Sequence, residues 1–571
     1  MAMIKTIRLT NGQDYYIMTS SKKQAPLQKY SGAGLGGKSM TQAQLYTVIA
    51  LVAYAAVMAA VGCISYGRSK TLDGFLVGGR RIGAWSTAFA YGTAYFSAVV
   101  FIGYAGQHGW NIGIGALWIG IGNTVIGCLC SWLLFANRTR RMTGKLNART
   151  MPDYFEKRYG AKGLKILSSV IIFVFLLPYS AAVYKGLGSL FGAIFPDVEA
   201  WVWMLIIACL TAVYLVAGGY IATSYTNLIQ GVIMIVGVVG LVIAVLSHDA
   251  VGGLSGLITN LKGFESLPGD PNPVTGGQLT SIFGGSAFKF LCFNIMLTSF
   301  GTWGLPQMIG KFYAIKDSAA IRRGTIVSGI FCLVIGCGAY LVGSTSRLIL
   351  GGKLPAGGVD SVIPTLLLEV LGNGVAGLIL LAVIMILLLS ASMSTLEAVV
   401  LTSASAVAVD LIPAVCKKEI SAKRQMLLTR GLCLAFIACS FVFATQNIPI
   451  IVSLMSFSWG IVSGCFIGPY VWGLFSKRIT KLGAYAGILA GLLTVGGATL
   501  VITLTDGFSA AASRSPEMGV AAMALSLIVV PVVSLLTGNR EEDKARVEEI
   551  FSATQKERKL KKSAKNMAKT Y

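Results

Sequence analysis

Charge is what this chain has least of. Only 12% of its 571 residues are Asp, Glu, Lys or Arg, where a soluble globular chain carries about 25%. Histidine is rarer still: His108 and His248 are the two in the sequence, too sparse for a metal cluster or a nucleophile–base pair. The eleven cysteines show no Cys-x-x-Cys and no paired spacing outside apolar runs. Cys63, Cys128, Cys130, Cys209, Cys292, Cys332 and Cys337 lie inside such runs and read as small packing residues. Hydrolytic chemistry finds no residues here, and the chain reads as a non-enzyme.

Apolar residues are abundant, at 55% of the chain with a mean hydropathy of +0.72. Runs near twenty residues long and almost free of charge are transmembrane candidates. Thirteen occur, at about 43–65, 84–105, 110–136, 165–195, 200–217, 222–247, 281–304, 324–346, 372–403, 428–445, 449–474, 482–505 and 518–538. A lipid-exposed backbone must satisfy its own hydrogen bonds, so these runs predict helices. The fold class expected is an all-α polytopic membrane protein with about 13 transmembrane helices.

The net charge of +24 raises nucleic acid as a partner until its location is considered. With the first span starting outside, 35 of the 47 Lys and Arg fall in cytoplasmic segments, nine of them in 137–165 and ten after 538. External loops hold only Lys262, Arg347, Lys353 and Arg514. By the positive-inside rule this predicts an external N-terminus, a cytoplasmic C-terminus and a multi-pass plasma-membrane location. The basic residues then face anionic lipid, and no nucleic-acid partner is expected.

Residues 1–42 break the rule, placing Lys5, Arg8, Lys22, Lys23, Lys29 and Lys38 outside without the apolar core of a signal peptide. The expectation is a basic extension, with Met40 as the candidate native start. Residues 43–538 form the transmembrane domain. The loop 248–280 contains GGLSG and LPGDPNPVTGG, which signal turns. Residues 539–571 form a basic cytoplasmic tail whose start reads as a short helix and whose Lys-rich end reads as lipid-facing. No stretch is long enough for a signalling or nucleotide-binding domain.

Two runs are interrupted in the same way: AYGTAYFSAVVFIGYAG in the second and FNIMLTSFGTWGLP in the seventh. They stand five segments apart and open two groups of five, 84–247 and 281–474. An odd number of spans inverts the second group against the first. Paired interrupted segments in corresponding places mark a transporter's binding site, because unwound backbone coordinates ions and solute at the midplane.

Several motifs together resemble the sodium:solute symporter family. They are GTAYFSA at 92–98, MPDYFEKRYG at 151–160, YLVAGGYIATSYTNLIQ at 214–230, GLPQMIGKFYAI at 304–315, ASMST at 391–395, SFSWGIVSGCFIGP at 456–469 and GLFSKRITKLGAYAGILAGLL at 473–493. Their flavour is that of bacterial proline and pantothenate symporters. The resemblance implies a LeuT-type 5+5 inverted repeat, with one helix before the ten-helix core and two after it. It also implies sodium as the coupling ion, held by the backbone carbonyls of Thr93, Phe96 and Ala391 and the hydroxyls of Ser394 and Thr395. Positions 391, 394 and 395 share one helix face, and sodium, a hard cation, wants oxygen ligands.

Glu397 is outside that pattern. Some relatives complete a second sodium site with an aspartate on the helix after the Gly-Gly motif, where this chain has Asn227 in a stripe with Thr223 and Gln230. A carboxylate swap follows, with Glu397 near Asn227 holding a second sodium or a proton. Salt-bridge pairing with Lys185 of the fourth span is the other role open to Glu397, since an unpaired charge at a helix centre costs about 2.5–3.5 kcal/mol. Lys289 reads as a snorkelling lysine.

By family position the solute cavity is lined by Tyr95, Phe96, Ser97, Tyr179, Thr298, Thr302, Ser456, Phe457 and Trp459. An unpaired Lys185 would select a solute bearing a carboxylate. Proline symporters carry an aspartate where this chain has Tyr95, so proline itself is in question. The expected function is sodium-coupled symport of a small organic solute, an amino acid or carboxylate. A proton-coupled symporter using Glu397 and a non-transporting membrane sensor are the alternatives. The oligomeric state is not readable.

Overall fold

A computed structural model describes residues 4–8, 14–18, 40–66, 71–270, 272–416, 420–446, 451–538, 541 and 543–552. The Lys-rich run expected against lipid, and most of the extension before Met40, lie outside these residues. Residues 1–41 form a unit of their own, in which Ile4–Arg8 and Asp14–Met18 pair antiparallel with Ile4 opposite Met18. This hairpin departs from the expected all-helical composition. The second unit begins at Gln42.

Among the described residues, ten helices are long and apolar enough to cross a membrane. The sequence has thirteen runs, and the difference has physical causes. Ala200–Leu246 joins two runs and turns at Gly219, whose φ of 51° and ψ of −150° are open to glycine. A side chain there would also meet Phe75, since a Cβ would lie 2.4 Å from its Cδ2. The stretch Ala84–Lys145 likewise joins two runs, with breaks at Phe96 and Gly113. The seventh run is two short helices, Phe288–Gly301 and Pro306–Tyr313, neither of spanning length.

Both interruptions expected from the sequence are breaks in the helix. The first helix, Ala84–Tyr95, ends where Phe96 turns extended (φ −106°, ψ 114°), and helical structure resumes at Ala98. The second break lies between Gly301 and Pro306, with Leu305 extended (φ −78°, ψ 119°), as a residue preceding proline prefers. The two broken helices are joined near their ends. Ile82 pairs with Ile315 as a parallel bridge, through Ile82 N–H to Ala314 O (3.1 Å) and Lys316 N–H to Ile82 O (3.1 Å).

Helix Gly374–Ser405 is the axis of the fold. It packs on Gln42–Tyr66, Ala84–Tyr95, Lys162–Ile194, Ala200–Leu246 and Ala422–Ala444. Every residue from Leu387 to Leu401 is buried, which explains why this helix shows no apolar stripe: a helix surrounded on all sides has no solvent face to mark. Close approach elsewhere depends on small residues. Helix Gly106–Ile112 crosses Ser318–Ile349 where a Cβ on Gly109 would lie 2.1 Å from the Gly343 carbonyl carbon. Small residues at such crossings let backbones touch where lipid supplies no hydrophobic drive.

Candidate ion and solute site

The break at Phe96 creates the site. A helix that stops leaves its last carbonyls without intrahelical donors and carries partial negative charge at that end. Here the carbonyls meet hydroxyls from the axial helix. Ser394 Oγ donates to Thr93 O (2.9 Å) and to Ala391 O (2.8 Å), and Thr395 Oγ1 donates to Ala94 O (3.3 Å) and to Ala391 O (3.1 Å). On the far side of the break, Ser392 Oγ accepts from Ala98 N–H (3.1 Å) and Ser97 Oγ accepts from Val99 N–H (3.2 Å). Five oxygens therefore converge in a fully buried spot: three carbonyls and two hydroxyls.

Four of the five residues expected to hold sodium, Thr93, Ala391, Ser394 and Thr395, come together. The Phe96 carbonyl is not among the acceptors these hydroxyls reach; Ala94 is. The extended ψ at Phe96 turns its carbonyl off the line of the helix carbonyls.

The solute residues divide. Tyr95, Tyr179 and Trp459 form one aromatic cluster, with Tyr95 stacked on Trp459 (centroids 6.2 Å apart) and Tyr179 edge-on to Trp459 (5.7 Å, 83°). Ser97 and Thr395 lie beside the Tyr179 hydroxyl. Tyr95 Oη donates to Thr298 O (2.8 Å), which ties the first broken helix to the second. Trp459 covers Gly301 at the second break. Tyr179 Oη and Trp459 Nε1 are both buried without a protein hydrogen-bond partner.

Thr298 and Thr302 back this cluster, their hydroxyls bonded to Asn123 Oδ1 (2.8 Å) and Gly127 O (3.0 Å). Ser456 is engaged with Tyr104 Oη (2.8 Å). Phe457 faces elsewhere: it packs on Phe175 and lines an apolar cavity with Pro178, Phe443 and Phe508.

Glu397 is buried, and Thr226 Oγ1 donates to its two oxygens (3.3 and 3.4 Å). The next residue, Asn227, accepts from Thr93 Oγ1 (3.1 Å), so this pair of neighbours links the carboxylate to the hydroxyl cluster. The charge that acts on Lys185 is that of Asp360, on the segment Val359–Ser361, whereas the charge that acts on Glu397 is that of Lys311. Burial raises the Asp360 carboxyl above the usual range, against the Ile451 N–H (3.2 Å) and Lys185, which favour its charge. The buried cation that shares a cavity with Glu397 is Lys311, 3% exposed. Its sequence context, the apolar motif GLPQMIGKFYAI beside a basic loop, gave no sign of burial. Lys289 is exposed and pairs with Glu517 (3.2 Å).

A profile of the Sodium:solute symporter family matches residues 75–491. This chain belongs to the sodium:solute symporter family. The High-affinity proline transporter PutP of Bacillus subtilis is 29% identical over 487 residues, covering 84% of this chain and 96% of that protein. A Sodium/proline symporter of Haemophilus influenzae is 29% identical over 516 residues, with 87% and 96% covered. In fold, the chain is similar to a Na+-coupled sialic acid symporter in its substrate-bound outward-open state (TM-score 0.68, 17% identity, 86% of this chain and 99% of that one). It is also similar to Mhp1, a nucleobase-cation-symport-1 family transporter (TM-score 0.51, 15% identity, 83% and 98%). The fold is thus that of the LeuT-type transporters. The family carries out sodium-coupled solute symport, with Na+ as coupling ion, across a membrane that the chain crosses many times.

Proposed function

We propose that this symporter moves a small solute bearing a carboxylate, and that Thr93, Ala94, Ala391, Ser394 and Thr395 bind the sodium that drives it. The observation that carries this reading is the adjacency of two groups: the buried oxygens of Ser394 and Thr395, and Tyr179 Oη beside Thr395 with Trp459 Nε1 in the same aromatic cluster, both without a hydrogen-bond partner among the described residues. Buried donors need acceptors, and a solute carboxylate supplies them next to the ion. Tyr95, Trp459 and Tyr179 wall a pocket suited to a compact apolar body. The printed solute of the curated relatives is proline, a molecule of that description; Tyr95 supplies no charge for its amino group.

Sodium at the break holds the end of Ala84–Tyr95 against the axial helix, which orders Tyr95 and Ser97 for the solute. Occupancy of both then favours rocking of the broken helices against their scaffold. The basic face, which carries 137–165, is cytoplasmic in this reading; the N-terminus lies outside and the membrane is the plasma membrane. Glu397 is a buried carboxylate whose charge a cation or a proton offsets. Glu397's burial favours a proton-coupled variant of the same function as the second reading.

The test is uptake by purified protein in liposomes. A labelled panel of amino acids and short carboxylates is offered under an imposed sodium gradient, and then under an imposed pH gradient. Accumulation of a carboxylate-bearing solute under sodium alone is expected. Accumulation under the pH gradient alone overturns the sodium assignment, and uptake confined to solutes without a carboxylate overturns the pocket assignment.

A further inference from the structure

Lys311 has no role in the reading above. It lies on Pro306–Tyr313, which packs on both Ala84–Tyr95 and Gly374–Ser405, the two helices that meet at the ion-binding break. Its ammonium makes no hydrogen bond among the described residues, and lies 5.4 Å from the Tyr220 ring. It borders a cavity of about 60 Å³, with room for a few waters, and Glu397 borders the same cavity. The two charges interact, and each is the other's charged partner in the interior. Among the described residues no direct ion pair joins them; the cavity lies between.

The surroundings leave little ambiguity about charge. From Ala200–Leu246, Glu397 faces Thr226, Gln230 and Tyr214; from Gln42–Tyr66 it faces Tyr54, whose hydroxyl accepts from Gln230 Nε2 (2.9 Å). All four are neutral. The other cation lining the cavity is Arg149 on the basic face, which Asp73 already holds. Asn227 is neutral as well. Around Glu397 one carboxylate therefore faces one ammonium, and no further ion is needed to offset it. An isolated charge in this position is costly, whereas an opposed pair is tolerated.

We propose that Lys311 is a tethered cation for Glu397, standing in place of a second coupling ion. One sodium ion then accompanies each solute, and Glu397 takes a free monovalent cation only when the ammonium is removed. Lys311 is thus a stoichiometry-determining residue, acting through Glu397. The inference rests on the reading of Ser394 and Thr395 as the sodium site.

The experiment counts sodium with sodium as the probe. Radiolabelled Na+ is titrated onto the purified full-length protein in detergent, and the ions bound per chain at saturation are read. The wild type should bind one, Lys311→Met two, and Lys311→Met combined with Glu397→Gln one again. Lys311→Arg should return the count to one. Two ions on the wild type, or one on a folded Lys311→Met, overturns the proposal. Should Lys311→Met not elute as a single folded species, Glu397→Gln alone decides: one ion bound is the expected result, and none shows that Glu397 itself holds the driving sodium. Failure of the underlying reading looks different. There, Thr395→Ala binds as the wild type does, whereas failure of this inference alone leaves Thr395→Ala empty and Lys311→Met at one.

Discussion

Replacing Asp270 with alanine isolates the interaction that pins the loop after Ala200–Leu246 to the first broken helix. Arg347, 1% exposed, donates from Nη1 to Asp270 Oδ2 (2.6 Å), from Nε to Trp110 O (2.6 Å) and from Nη2 to Asn272 O (2.9 Å). Its guanidinium also lies over the Trp110 ring, 4.5 Å from the centroid. Loss of Asp270 leaves a buried guanidinium with carbonyl partners and no counter-charge, which costs about 3–5 kcal/mol. Replacing both residues together, Arg347→Met with Asp270→Leu, should cost clearly less than either single change, because no charge remains buried.

The pH dependence of the Asp270 interaction has a definite sign. Burial works to raise the Asp270 carboxyl, but the hydrogen bonds from Arg347 and the Asn272 N–H outweigh it and hold the group below the usual range. A carboxyl lowered on folding contributes stability that is present above its unfolded pKa and lost as pH falls through the folded one. The gap between wild type and Asp270→Ala should therefore be full at neutral pH and shrink on acidification below about pH 4. Thermal unfolding of the detergent-solubilised protein across that range is the assay. A wild-type-like Asp270→Ala at neutral pH, or a gap that widens with acid, refutes the reasoning.

Four other outcomes follow from the geometry. Gly343→Ala puts a Cβ 2.0 Å from Ala105 O; overpacking of this kind costs about 1–3 kcal/mol or more and should lower the yield of folded protein. Gly431→Ala, in Ala422–Ala444 with open space around it, should be neutral or stabilising in the same assay. Trp459→Phe keeps the ring against Tyr95 and removes the indole N–H. If that N–H meets a solute carboxylate, the solute's half-saturation should rise about tenfold or more with little change in folding. At the basic face, residues 543–552 form a helix whose Val547 and Ile550 are buried, with Glu548 bonded to Lys477 (2.7 Å) and Phe551 5.4 Å from the Arg158 guanidinium carbon. Val547→Asp with Ile550→Asp should release it, read as loss of amide-exchange protection confined to that segment.

Much of the fold could be read because lipid imposes a strong rule on sequence. Runs without charge mark the helices, and the inverted repeat followed from two glycine-interrupted segments five spans apart. The face at 391, 394 and 395 stood out through the family resemblance, with the helical spacing of the three positions in agreement. What the sequence hid lies in distances between segments. Lys311 sits among basic residues next to a loop, and its burial depends on how Pro306–Tyr313 docks. Lys185 and Glu397 are both charges within spans, so the sequence left a pair between them open; the charge that acts on Lys185 in the fold is that of Asp360. The hydrogen bond from Thr395 Oγ1 to Ala94 O likewise depends on how the two helices dock. The turn within Ala200–Leu246 rests on Gly219, whose positive φ no pattern of hydrophobicity reports.

The most direct test of sodium at the helix break is the sodium dependence of uptake by Thr395→Ala in liposomes. Loss of one hydroxyl from a charged ligand costs about 1.5–3 kcal/mol, so half-saturation by sodium should rise roughly 10- to 100-fold, with folding and liposome incorporation unchanged. An unaltered sodium dependence in that variant would contradict the account and move the coupling ion away from Ser394 and Thr395.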